Sequence, residues 1–387
     1  SGLSAAAKGV AVAATAADGG TAVIVPNDAA VEQAVADIRF FLGGLEGLSD
    51  HQLRLHVLPC PSHEVDPYRG LAPHFEVAAA RGRALHGLAG GSARVVVIAA
   101  AALLPRVSPP ARLLQAGYSL AVGALLEPPD LSDQLADAGF TPEDPVDAHG
   151  EFCIRGGVVD FFPAGHDQPI RAEFAGDSLE SLRRFDPATQ RSTETLDRAD
   201  ILPLRETFER DADLNGAEPD RSAWLADYLL GVPAGRIFLS EADESRGVIE
   251  ARLSQAASGF ADAEERGETV LSPEELLVDW PTLDTWLDAA TRLEQLWEDQ
   301  DTADTVRHVA CQPVVEFHGR LADWAAEITR TRERGETALL VAGTPGRAER
   351  VIELLADYDL RALSIDQADE TMGAALLVAT GQLIRGF

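Results

Sequence analysis

Lysine is all but absent from this 387-residue chain: Lys8 stands alone, and arginine supplies the rest of the 32 basic side chains. Against them stand 63 aspartates and glutamates, so the formal charge is −31. A surface so short of cations displaces few counterions, which argues against a protein that grips DNA or an anionic membrane over its whole face. It leaves room for a local basic spot. Cysteine is scarce too. Cys60, Cys153 and Cys311 are odd in number and far apart, so they make neither a disulfide framework nor a zinc knuckle, and a reducing cytoplasm is the expected location. No stretch of about 18 apolar residues is free of charge, so no transmembrane helix and no membrane partner are expected. The Ala-rich start lacks the basic n-region of a secretory signal. The chain begins without Met and stops just after an apolar run, and so reads as a piece of something longer.

Apolar residues make up 46% of the chain, enough for sizeable cores, and the length suggests two or three domains. The first part alternates short apolar runs with helical spacing. Residues 21–25, 53–58 and 93–100 read as strands; 28–41 and 75–88 read as helices. Such alternation predicts a parallel sheet covered by helices. After Pro109-Pro110 the pattern changes. From Glu151 to about Leu204 short strands alternate with turn signals, as in an antiparallel α+β module. Residues 206–221 are polar and rich in Pro, Gly and Asp, and are expected to form an exposed connection. Helix is expected at 224–230, strand at 236–240, and helix in two pieces around Pro281 over 274–297. The pattern helix, strand, helix, strand over 319–380 predicts a second small α/β unit.

Few residues announce chemistry. Gly2 and Lys8 stand at the spacing of a phosphate-binding loop, but Ala7 replaces the glycine before the lysine and Gly9 the Ser/Thr that would hold magnesium. Ser240 stands at the end of the 236–240 run, where a magnesium-binding strand end would carry Asp. The Gly343–Arg347 loop joins a strand to a helix and could hold an anion, or be an ordinary turn. The nine histidines show neither HxxxH nor HExxH spacing, and there is no G-x-S-x-G nucleophile elbow. No metal or cofactor is expected. Arg155 and Arg171 differ from the rest. They stand in two strand patterns of an otherwise acidic protein, and arginine suits an interface hot spot through its five donors and flat apolar face. The alternative is local pairing with an acid of the same sheet, such as Glu173 or Asp160.

The module is also where the chain resembles a known family. Residues 150–163 (GEFCIRGGVVDFFP), 169–177 (PIRAEFAGD), 179–186 (LESLRRFD) and 201–206 (ILPLRE) resemble the UvrA-interaction domain shared by UvrB and the bacterial transcription-repair coupling factors. Residues 37–42 (DIRFFL), Asp66-Pro-Tyr68, 71–74 and 101–110 resemble the coupling factors more than UvrB. Residues 317–321, 340–343 and 346–350 resemble the small α/β domain that follows in them. The resemblance implies an α/β fold. A degenerate, helicase-like (P-loop-type) parallel-sheet lobe would occupy residues 1–112 and 207–305. The UvrA-interaction module would be inserted at 113–206, and a small α/β domain would follow at 306–387. It implies a non-catalytic role, recruitment of UvrA for nucleotide excision repair at stalled RNA polymerase. RNA polymerase and DNA would be met only through domains outside the chain. The UvrA-contacting positions of the family map onto Arg155 and Arg171. A third, usually aromatic, maps onto Ala175, a departure that removes contact area. Two other readings stay open: a UvrB-like nucleotide-binding ATPase lobe using Gly2 and Lys8, and a nucleic-acid binder using the arginines as a phosphate patch.

Overall fold

Two apolar runs, Thr21–Val25 and Val95–Ala99, lie side by side in a parallel sheet and are buried along their whole length. Near-continuous apolar sequence is what a strand covered on both faces requires. The computed structural model describes all residues except 18, 71–72, 210–217, 296–305, 310, 312–319, 366–374 and 384–387.

In chain order the first elements are α1 (Ala5–Ala16), β1 (Thr21–Val25), α2 (Asp28–Glu46), α3 (Asp50–His56), β2 (Val57–Cys60), α4 (Phe75–Ala89) and β3 (Val95–Ala99). Then come α5 (Pro110–Ala116), β4 (Tyr118–Ala121), α6 (Pro128–Asp137), β5 (Thr141–Pro142), β6 (Glu151–Arg155) and β7 (Val158–Phe161). They are followed by β8 (Ile170–Ala175), β9 (Ser178–Phe185), β10 (Ser192–Leu196) and β11 (Arg198–Ile201). Next are α7 (Leu225–Tyr228), β12 (Ile237–Ser240), α8 (Ala242–Glu265), α9 (Pro273–Leu276), α10 (Trp280–Leu287) and β13 (Thr291–Leu293). The last are α11 (Leu321–Glu333), β14 (Ala338–Ala342), α12 (Pro345–Ala356), β15 (Leu363–Ser364) and β16 (Leu376–Thr380).

The parallel sheet has the order β13-β12-β1-β3-β2, so its strands come from both sides of the antiparallel module in the chain. The module is a six-stranded sheet, β10-β9-β8-β7-β6-β5, antiparallel except for the β5–β6 pair. Antiparallel β4 and β11 form a separate ribbon. A small parallel sheet, β14-β16-β15, lies near the end of the chain. By packing, the chain divides into two compact units. One comprises Ser1–Ala14, Ala36–Asp50 and Gln295–Phe387; the other comprises Thr15–Val35 and His51–Glu294. The limits expected at 112, 206 and 305 do not coincide with this division, which groups residues by packing and not by order in the chain. Among the described residues no helix is long and apolar enough to cross a membrane.

Four local expectations are corrected. The strand expected over 53–58 is the end of α3 followed by β2. Leu53, Leu55 and Val57 alternate like a strand, but Leu53 is a buried helical residue, Leu55 is exposed, and only from Val57 onward does the backbone pair with β3. The 24-residue α8 was not expected; it buries few side chains, so its apolar periodicity is weak. The helical stretch expected over 274–297 ends at Leu287, and β13 completes the parallel sheet. Pro281 stands in the first turn of α10, where its missing N–H is harmless, and Asp279 caps that helix. The connection expected to be exposed at 206–221 is buried at both ends. Asp220 is buried, and the Glu206 carboxylate accepts from Arg81 Nε at 2.5 Å and Nη2 at 2.9 Å and faces His63 Nε2 at 3.2 Å. Arg81, on α4, is only 1% exposed and also donates to the Pro61 carbonyl at 2.8 Å. An isolated acid in a polar segment reads as solvated; here it neutralises a buried guanidinium. Residues 210–217 of that connection lie outside the described residues.

Candidate functional site

The six-stranded sheet has one face on a core and one largely polar face. Phe152, Val159, Phe161, Ile170, Ala172, Leu179 and Leu182 pack with Leu131 and Leu135 of α6 and with Leu120 and Ile201 of the β4–β11 ribbon. Because side chains alternate along each strand, the remaining positions face away. Strand pairing sets them in two cross-strand rows. One holds Cys153, Asp160, Arg171 and Arg183; the next holds Arg155, Val158, Glu173 and Ser181. Arg155 and Arg171, 16 positions apart in sequence, therefore share this outer face. A small cluster of Val146, Phe162 and Phe185 closes one end of it, with Cys153 against it.

Each arginine is held by its own acids. Arg171 forks Asp160 through Nε and Nη2, both at 2.7 Å, and its guanidinium carbon lies 4.8 Å from the centre of the Phe185 ring. Arg155 pairs with Asp144 through Nε at 3.2 Å and more closely through Nη2, and its Nη1 is 3.5 Å from Asp160. Asp160 is 2% exposed, Arg171 20% and Arg155 43%. The hydrogen bond from Arg155 is the main reason that the Asp144 carboxyl is held below the usual carboxylate range. The same bonds to Asp144 and Asp160 raise the pKa of Arg155 and Arg171, respectively. Two aspartates and two arginines cancel in charge, so this is an ordered neutral network and not a basic patch. Its chemical capacity is to present planar donors in fixed orientation, so that little rotamer entropy is lost when a partner meets them.

The third expected position, Ala175, is exposed at the end of β8 and pairs with Ser178. The turn between them begins with Gly176 at φ +66°, a backbone conformation suited to glycine at the first central position of a tight hairpin. Phe174 points the other way, against the core. Two features were not legible from pattern. Asp144 approaches Arg155 from outside the strand patterns, and nothing in its local sequence marks it. Leu125 makes an isolated antiparallel bridge to Ser178 and is 79% exposed.

Gly2 and Lys8 are brought into no such arrangement. Gly2, at φ +79°, precedes α1, and the helix is capped by the Ser4 hydroxyl, which accepts from the Ala7 amide at 3.3 Å. Lys8 lies in the first turn of α1, its amide bonded to the Ser4 carbonyl. The backbone of Ser1 bonds to that of Arg307 and Val309. A side chain at position 9 would meet Asp37 Cβ at 2.9 Å, so glycine there serves close helix approach. Ser240 ends β12 with its carbonyl accepting from the Ser245 hydroxyl at 2.8 Å. In the Gly343–Arg347 loop the Thr344 hydroxyl caps α12 by accepting from the Arg347 amide at 3.3 Å.

A family model described as the UvrB interaction domain matches residues 118–206, which span β4 to β11 and the whole six-stranded sheet. The transcription-repair-coupling factor of Myxococcus xanthus is 33% identical over 186 residues, 48% of this chain and 15% of the relative. That of Bacillus subtilis (strain 168) is 24% identical over 372 residues, 81% of this chain and 31% of the relative. The UvrABC system protein B of Synechococcus elongatus is 29% identical over 200 residues, 50% of this chain and 30% of the relative. The chain thus spans less than a third of the length of each of these relatives. Together these matches identify a UvrB interaction domain within a chain related to the N-terminal, UvrB-like region of the transcription-repair-coupling factors.

Proposed function

We propose that the outer face of the six-stranded sheet docks UvrA, and that the chain recruits it to nucleotide excision repair at stalled RNA polymerase by protein–protein contact and not by catalysis. The observation that carries this reading is the coincidence of the UvrB interaction domain match with the sheet on which Arg155, Arg171, Asp144 and Asp160 form one ordered network. Arg155 and Arg171 donate to carboxylate or carbonyl groups of UvrA, and Ala175 lies at the edge of the contact. Contacts with RNA polymerase and DNA belong to parts of the relatives that this chain does not match. The network's neutrality speaks against the arginines as a phosphate patch, since counterion release needs net positive charge. The parallel-sheet lobe is read as a helicase-like lobe without a working nucleotide site. Ala7 and Gly9 in place of the phosphate-loop glycine and Ser/Thr, and Ser240 in place of a magnesium-binding Asp, support that reading.

The test is titration calorimetry of the chain against UvrA beside an Arg155→Ala/Arg171→Ala variant whose folding is checked by circular dichroism. Truncating a single hot-spot arginine costs about 2 kcal/mol or more, roughly a thirtyfold loss of affinity. Binding by the wild type and none by the folded double variant is the expected result. Equal binding by both would remove this face from the interaction.

A further inference from the structure

We propose that Leu125 is the apolar anchor of the docking face, inserted into a nonpolar pocket of UvrA while Arg155 and Arg171 meet polar groups at its rim. This rests on the reading above and names the residue that would supply its apolar contact.

The argument begins with the edge of β9. Over its second half β9 is paired with β10, and that pairing ends at Leu182↔Leu196. Beyond that point the loop before α6 takes over the edge. The Gly123 amide donates to the Leu179 carbonyl at 2.8 Å, the Leu179 amide to the Ala124 carbonyl at 3.0 Å, and the Leu126 amide to the Asp177 carbonyl at 2.8 Å. Ala124 and Leu126 pack against the core, so Leu125 between them is turned to the opposite face. Its bridge partner Ser178 is paired in turn with Ala175. Ala175, Ser178 and Leu125 therefore form a third cross-strand row, on the side of the sheet that carries Arg155, Arg171 and Glu173.

A bulge makes this alignment possible. Glu173 pairs with Ser181 and Phe174 with Leu179, so Glu180 is one residue extra on β9. It brings Ser178 and Ser181, three apart in sequence, to the same face. Neighbouring strands are about 4.8 Å apart and residues two apart on one strand about 6.8 Å, so Leu125 lies roughly 10 Å across the sheet from Ala175. The Glu173 row is one step along; Arg155, at the far end of that row and four strands from Leu125, lies roughly 20 Å from it, within the span of one standard-size interface.

A scattered exposed leucine is ordinary on a protein surface. Leu125 differs in being fixed by backbone hydrogen bonds on both sides and in sitting in register with the network. A side chain carried on a pre-ordered backbone loses less entropy on docking than one on a free loop, and an apolar centre with polar groups around it is the usual anatomy of a hot spot. Ala175, two strands away in the same row, is small and leaves room for the partner's own side chain. The partner surface that fits is a nonpolar pocket flanked by carboxylate or carbonyl oxygens.

The experiment titrates UvrA against the wild type and the Leu125→Ala, Leu125→Glu and Leu230→Glu variants, with Arg155→Ala/Arg171→Ala alongside. Leu230 is 82% exposed and lies outside the module, so it controls for loss of surface hydrophobicity in general. Because both leucines are on the surface, all three variants are expected to keep the wild-type circular dichroism spectrum and melting curve. Leu125→Ala is expected to weaken binding about tenfold and Leu125→Glu about a hundredfold, with Leu230→Glu within twofold of wild type. If both Leu125 variants bind within twofold of wild type while the arginine variant fails, the anchor is overturned and the docking face stands. Equal losses for Leu125→Glu and Leu230→Glu also overturn the anchor. If the wild type itself does not bind UvrA, docking and anchor fall together.

Discussion

Replacing Glu206 by Gln should destabilise the unit formed by residues 15–35 and 51–294 far more than the loss of one of 63 acidic side chains would suggest. The reason is Arg81. Its guanidinium is almost wholly buried and is neutralised by two hydrogen bonds to Glu206, at 2.5 and 2.9 Å. The guanidinium also donates to two backbone carbonyls, Pro61 at 2.8 Å and Ala102 at 3.5 Å. Each hydrogen bond to a charged group contributes about 1.5–3 kcal/mol, and removing one partner of a buried pair costs about 3–5 kcal/mol because the other charge stays desolvated. The amide of Gln keeps one acceptor, so the expected loss lies at the lower end, about 3 kcal/mol. Guanidinium unfolding followed by circular dichroism measures it as a lower midpoint with unchanged slope. An apolar double replacement, Arg81→Met/Glu206→Leu, should recover most of the loss, since it removes both charges together. The pH dependence has a definite sign. Arg81 holds the Glu206 carboxyl well below its ordinary value, so the stability it contributes is full above the unfolded pKa of about 4.3. That contribution declines as pH falls from there toward the folded value. The difference between wild type and Glu206→Gln should therefore shrink as pH falls below 4. A loss under about 1 kcal/mol at neutral pH, or a difference that grows as pH falls below 4, would refute the reasoning.

Two further outcomes follow. Asp160→Asn, which removes the counter-charge shared by both arginines, should lower UvrA affinity more than tenfold while both arginines remain; calorimetry with wild-type affinity would show that their fixed orientation is irrelevant. Magnesium and ATP should leave the melting temperature unchanged. A ligand at 100 times its dissociation constant would stabilise by about 2.7 kcal/mol, so a clear upward shift would revive the nucleotide-site reading of Gly2 and Lys8.

The sequence alone was sufficient for β1, β3 and α4 and for the strand pattern from Glu151 onward, because apolar periodicity and turn residues are local properties. It also marked Arg155 and Arg171, as cations in strand patterns of an acidic chain, and raised local pairing with Asp160 as the alternative; the structure shows that pairing. Tertiary structure alone decided where Glu206 and Asp144 find their partners, because an ion pair between distant residues leaves no trace in either local pattern. It also decided that Leu55 belongs to a helix and not to a strand, since an apolar residue reads the same whether the backbone next to it pairs or coils. The Glu180 bulge is the sharpest case. Strict alternation places Leu179 and Leu182 on opposite faces, and only the extra residue in the ladder turns both to the core and Ser178, with Leu125 beside it, to the outside. Periodicity gives the faces of a strand taken alone; the register between strands, set by packing across the whole sheet, decides which residues of different strands meet.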